Sequence, residues 1–155
     1  MCLRTLVVCC CAAGALIVGG CGDDSSNNAT PVTTDTYEGA VYDSVMAAML
    51  ESYQMTYDST YFAYELSSDG NYVEEMNMGF SWATVEVGVW EQNGTTITFT
   101  PVSDSTFNQQ TMSMVEVATK APYNAVEGTD GSLTIDNYIT IADSRPLGTL
   151  VLFKQ

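Results

Sequence analysis

The chain has 155 residues, with 19 acidic against four basic, no histidine, five cysteines and eight methionines, for a formal net charge of −15. So acidic a chain lacks the basic footprint that nucleic acid requires, and it would be repelled from anionic lipid. The absence of histidine removes the commonest general base and metal ligand, and with it the Ser-His and Cys-His catalytic constellations.

At the N-terminus, Arg4 is the only charge in a stretch whose residues Leu6 to Val18 are all apolar or small. This is the layout of a secretory signal, too short for a membrane span of about 20 apolar residues. The run Leu16-Ile17-Val18-Gly19-Gly20-Cys21 resembles the lipobox of bacterial lipoprotein precursors, with Val18 where Leu is usual. The resemblance implies a signal peptide over 1–20, cleavage before Cys21, a diacylglycerol on the Cys21 sulfur and an acylated amine. Each buried CH₂ contributes about 0.8 kcal/mol, so two or three acyl chains anchor stably. The expected location is the cell envelope, with the membrane contacted through the lipid; Gly22 after the cysteine favours the outer membrane. Cys2, Cys9, Cys10 and Cys11 leave with the signal and Cys21 is consumed by lipid, so the remainder has neither thiol nor disulfide.

Residues 21–36 are the lipidated cysteine and a polar linker, Gly22-Asp23-Asp24-Ser25-Ser26-Asn27-Asn28 and onward, with too little apolar surface to fold. As a flexible coil it spans about 20 Å. Residues 37–155 form one domain. Over 40–55, Tyr42, Val45, Met46, Met49, Leu50 and Tyr53 recur at helical spacing, which predicts a short helix, with a first strand as the alternative. Then the period becomes two. Tyr61 to Leu66 puts Phe62, Tyr64 and Leu66 on one face; Ser68-Asp69-Gly70 turns the chain into Tyr72 to Met78. Val85, Val87 and Val89 face one way, Glu86, Gly88 and Trp90 the other. Asn93-Gly94 is a strong hairpin signal leading into Thr95 to Pro101, with Ile97 and Phe99 inward. Residues 102–110 read as polar loop, and Thr111–Thr119, Ser132–Ile135, Tyr138–Ile141 and Leu147–Phe153 as further strands. The pattern is all-β, an antiparallel barrel or sandwich of seven or eight strands.

On Phe62-x-Tyr64-x-Leu66-x-x-Asp69-Gly70-x-Tyr72, Gly88-x-Trp90-x-x-x-Gly94-x-x-Ile97-x-Phe99-x-Pro101 and the terminal Leu150-Val151-Leu152-Phe153-Lys154, the chain resembles small bacterial lipocalin-like lipoproteins. The resemblance implies a closed up-and-down barrel of about eight strands with one open mouth and a cavity. It departs from lipocalins in placing Gly-x-Trp mid-domain and in lacking a disulfide. The expected cavity-lining residues are Phe62, Tyr64, Leu66, Val87, Val89, Ile97 and Phe99; side chains that simply fill the core are the competing reading. Met76-x-Met78 and Met112-x-Met114 each place two thioethers on one strand face. They would fill gaps in the core, line an apolar pocket or, were the pairs to face each other, hold Cu(I). Tyr53, Tyr57 and Tyr61 are expected outside. Carboxylate pairs are chemically available, but no spacing nominates one. The sequence names no catalytic residue, metal ligand or cofactor motif, so a non-enzymatic role is expected. The functional expectation is a small apolar ligand in the barrel cavity; the alternative is a structural or interaction module whose outer face meets an envelope partner.

Overall fold

Alternating stretches need a partner strand on each side, and a ring supplies one to every member. The computed structural model describes residues 31–77, 83–138 and 148–155. Its elements are β1 (Thr34–Val41), α1 (Ser44–Ser52), β2 (Thr60–Ser67), β3 (Asn71–Asn77), β4 (Ala83–Asn93), β5 (Thr96–Asn108), β6 (Ser113–Val117), β7 (Tyr123–Glu127), β8 (Leu133–Ile135) and β9 (Leu150–Lys154). Antiparallel pairing runs β4-β3-β2-β1-β9-β8-β7-β5, and β4 with β5 closes the ring. The fold is thus a closed eight-stranded barrel, as the lipocalin-like pattern implied. β6 lies outside the ring and pairs with the far half of β5.

Direction alternates round the ring, so the connections sort to two ends. The tight turns at 68–70, 94–95 and 128–132 share one end with Thr34, where the chain enters. The first and last strands also meet there, with Gln155 N donating to Thr36 O at 2.9 Å. The turns are made by their own chemistry: Gly70, Gly94 and Gly131 take φ of +88°, +63° and +78°. Asp69 accepts from Asn71 N and Asp130 from Ser132 N. At the opposite end lie α1, the stretch 118–122 that follows β6, and residues 136–138 after β8. Asp43 caps α1, accepting from Val45 N at 2.9 Å, and Met46 packs against the barrel core.

Inside, cross-strand partners stack in layers. One layer holds Phe62 and Met76; the next runs Tyr37, Tyr64, Glu74, Glu86, Asp104; a third runs Leu66, Tyr72, Gly88, Pro101. The large rings fill the bore: Phe62, Tyr64 and Phe99 are fully buried, with Leu133, Ile135, Leu150 and Leu152 across from them. β5 keeps its inward face only through a bulge. Val87 opposes Ser103 while Gly88 opposes Pro101, leaving Val102 as the extra, exposed residue. Ile97, Phe99 and Pro101 point inward before the bulge and Asp104 after it.

Several sequence expectations change here. The helix forms within the expected 40–55, but β1 begins inside the stretch read as linker. Residues 102–108 are the second half of β5, not loop, because the bulge breaks the alternation that would have revealed it. β7 was not anticipated. Val87 and Val89 lie on the outer surface, not in the interior, being 38% and 43% exposed; the inward face of β4 is Thr84, Glu86 and Gly88. Tyr138 is buried outside any strand, and the rest of the strand expected at Tyr138–Ile141 falls outside the described residues.

A Cβ on Gly88 would stand 2.3 Å from Thr100 O, 2.6 Å from the Tyr72 ring and 3.0 Å from Pro101 Cα. Gly88→Ala is therefore expected to cost about 2 kcal/mol of overpacking strain in urea unfolding. Gly94→Asn, at a positive φ with open space around it, should stay within about 0.5 kcal/mol of the unaltered protein.

Candidate functional site

The layer that runs across β3, β4 and β5 is acidic. Glu74 is directly opposite Glu86, and Glu86 opposite Asp104, all facing inward at 2%, 1% and 0% exposure. Like charges side by side repel, and burial removes the water that would screen them. Such a row must draw cations, protons or hydrogen-bond donors to itself.

Lys120 is the cation. It sits in the irregular stretch between β6 and β7, and its side chain reaches into the barrel. Nζ lies 3.1 Å from Glu74 Oε2 and 2.9 Å from Glu86 Oε2. Its backbone N–H donates to Asp104 Oδ2 at 2.6 Å. One residue thus touches all three acids. The contact with Glu86 Oε2 is a Coulombic pair whose alignment falls short of a hydrogen bond. No hydrogen bond from the described residues reaches Glu86 Oε2 or Asp104 Oδ1.

Tyrosines complete the cluster. Tyr72 OH donates to Glu86 Oε1 at 2.6 Å. Tyr123 OH lies 2.7 Å from Glu86 Oε1 and 3.2 Å from Glu74 Oε2, so the two carboxylates share it. Tyr138 OH donates to Glu74 Oε1 and accepts from Lys120 Nζ at 3.2 Å. Tyr64 OH is 3.1 Å from Tyr123 OH. The Lys120 ammonium also stands 4.9 Å and 4.8 Å from the ring centroids of Tyr123 and Tyr138. It occupies a box of two carboxylates and two aromatic rings.

Electrostatics follow from burial. Desolvation raises the Glu74 pKa; the Lys120 charge works against that and the Glu86 charge with it. Burial alone would lower Lys120, but Glu74 and Glu86 outweigh it and hold the ammonium above its usual range. Desolvation, then the neighbouring carboxylate charge, keeps Tyr64 and Tyr138 protonated well beyond ordinary tyrosine values. Burial thus inclines Glu74 to hold its proton.

Beside Lys120 the barrel opens into a pocket of about 400 Å³, within the range of small-molecule sites. Ala121, Pro122 and Ile135 give it apolar walls; Lys120, Tyr123 and Tyr138 line it too, with Asn137 the remaining polar side chain. The residues that box the ammonium therefore also border the pocket. This is the end with the long connections, opposite the entry of the chain at Thr34.

The residues expected to line a ligand cavity separate into three groups. Phe62, Tyr64, Leu66, Met76, Ile97 and Phe99 are buried and packed against one another in the bore. Val87, Val89, Met112 and Met114 are outside; Met112 and Met114 are 73% and 43% exposed. Met78 and Cys21 lie outside the described residues. Met76 in the bore cannot face the Met112–Met114 pair on the exterior, which removes that thioether site. Among the described residues no group of three or more Asp, Glu, Cys or His is arranged to hold a metal ion. The residues that do assemble, Glu74, Glu86, Asp104, Lys120, Tyr72, Tyr123 and Tyr138, were not foreseen. Comparison with protein families, curated proteins and solved structures finds no match to this chain, so the site rests on its own geometry.

A raised carboxyl pKa adds stability at pH below its ordinary value, and that stability is lost as pH rises through the folded value. For Glu74 the loss runs upward from about pH 4, the ordinary glutamate range. Asp69 and Asp130, lowered by turn hydrogen bonds, contribute above their ordinary range and lose that contribution as pH falls below it. Thermal melts followed by circular dichroism should therefore place the highest midpoint near pH 5, with a lower one at pH 8. Glu74→Gln should flatten that difference. Lys120→Met strands the row without its cation and should cost about 3 kcal/mol at pH 8, and less at pH 5, where a proton can replace it. A midpoint that climbs from pH 5 to pH 8 would contradict the assignment.

Proposed function

We propose that the protein is a lipid-anchored cell-envelope protein, held by lipid on Cys21 with the outer membrane favoured, whose barrel binds a small apolar molecule at its mouth without catalysis. The observation that carries the reading is the pocket itself: about 400 Å³, with Ala121, Pro122 and Ile135 in its wall, at one end of a closed barrel. It displaces the ligand from where the sequence suggested. The bore is filled by Phe62, Tyr64 and Phe99, so the ligand sits above these rings. The anchoring half of the proposal rests on Leu16 to Cys21 and on the composition break that follows. A binding role suits a carboxylate cluster already neutralised in part by Lys120, since a catalytic carboxyl must be free to exchange its proton with substrate.

A second reading has one observation in its favour. Val45 and Met49 on α1, with Tyr42 just before its N-cap and Tyr53 at its C-cap, are 57%, 40%, 64% and 69% exposed. That is the kind of surface an envelope partner would cover. Val45→Asp together with Met49→Asp would abolish crosslinking to such a partner and leave pocket binding intact.

Two measurements test the primary reading. Titration of 1-hexanol into the full chain in nanodiscs, with empty nanodiscs as blank, should give one saturable site with Kd on the order of 1 mM. Ala121→Trp, at an exposed position on the pocket wall, should remove it; no saturable heat from the unaltered protein would count against a ligand. For the anchor, Cys21→Ser should abolish labelling by radioactive palmitate and move the protein out of the membrane pellet.

A further inference from the structure

We propose that the mouth pocket selects a small organic cation, an amine or quaternary ammonium with an apolar body, over neutral or anionic molecules of the same shape. The inference rests on the reading of this pocket as a small-molecule site and adds the charge class of its ligand.

Charge excess is the first support. Glu74, Glu86 and Asp104 are three buried acids, and among the described residues one ammonium, that of Lys120, meets them. Lys120 Nζ stands 2.9 Å from Glu86 Oε2, and no hydrogen bond from the described residues reaches Asp104 Oδ1. A second positive charge would find negative charge left over, where a carboxylate ligand would find Lys120 already held by two glutamates. The second support is steric and electronic fit. Lys120 Nζ sits between two carboxylates and two tyrosine rings, so the chain itself supplies the ammonium that the box accommodates. Lys120, Tyr123 and Tyr138 belong both to that box and to the pocket, so a ligand there meets aromatic surface beside an ammonium already paired with two glutamates, with the acid row behind them.

The surroundings agree. Lys154, the other basic residue described, is tied to Asp35 at 2.7 Å. A chain of net charge −15 concentrates cations at its surface and repels anions before they reach the mouth. The acid row lacks the arrangement of a metal site among the described residues, and the apolar walls suit a carbon-bearing cation better than a hydrated ion.

The test compares three molecules of one shape, hexylammonium, 1-hexanol and hexanoate, titrated at pH 7 into the full chain in zwitterionic nanodiscs. Hexylammonium should bind about tenfold more tightly than hexanoate, and more tightly than 1-hexanol. Glu86→Gln and Glu74→Gln should cut that preference about fivefold while leaving 1-hexanol binding in place. Ala121→Trp should block all three. Equal affinities, or hexanoate as the tightest, would overturn the charge selectivity and leave the pocket reading standing. Binding of none would overturn both. Hexylammonium binding that survives Ala121→Trp would place the cation on the acidic surface and overturn the proposal. Should the Gln variants fail to fold, the three-way comparison on the unaltered protein decides alone.

Discussion

Three carboxylic acids are buried side by side in the barrel, and among the described residues one lysine, Lys120, meets them. That electrostatic demand organises the upper half of the molecule. It explains why a lysine from an irregular connection extends inward rather than toward water, why its backbone is held by Asp104 as well, and why four tyrosine hydroxyls converge on one point. Without donors of that number and placement, ionised acids on adjacent strands would drive the strands apart.

The lower half depends on shape. Tyr72 lies across the strand from Gly88, where a side chain would collide with its ring, and this places the Tyr72 hydroxyl on Glu86. Phe99 stands 4.9 Å from Tyr72 and 5.4 Å from Tyr64 in tilted and edge-on contacts, the geometry aromatic pairs favour. One glycine therefore links the packing of the bore to the hydrogen bonding of the acid row. Ring packing and charge neutralisation are a single arrangement seen from two ends of the same tyrosines.

Much of this was readable from the residues, and the failures have definite causes. The turns at Asp69-Gly70 and Asn93-Gly94 and the inward set Phe62, Tyr64, Leu66, Ile97 and Phe99 follow from alternation and turn chemistry, which left barrel and sandwich both open; closure was what the lipocalin-like resemblance implied. β4 was assigned to the wrong face because valine was preferred inside over glutamate and glycine. The hairpin contradicted that choice: a two-residue turn at 94–95 pairs Trp90 with Phe99 and Gln92 with Ile97. If Phe99 faces inward, so do Trp90, Gly88 and Glu86, and the valines face out. The same parity on β3 sets Glu74 between Tyr72 and Met76. Register was the stronger signal, and it pointed to a charged interior. Asp104 was beyond reach because the bulge at Val102 resets the alternation. Lys120 was beyond reach because an irregular stretch leaves no periodic trace, although so rare a basic residue in so acidic a chain was itself a hint.

The ring is closed between β1 and β9, the first and last strands, and Thr36 and Gln155 are hydrogen-bonded neighbours at the tight-turn end. The barrel is therefore defined by the cyclic order of its strands. Joining these ends with a short linker and cutting the chain at the 94–95 turn would leave every pairing in place, the condition under which circular permutation is tolerated. Both junctions would stand at the end away from the pocket, so the permuted chain would keep the acid row and the pocket as they are.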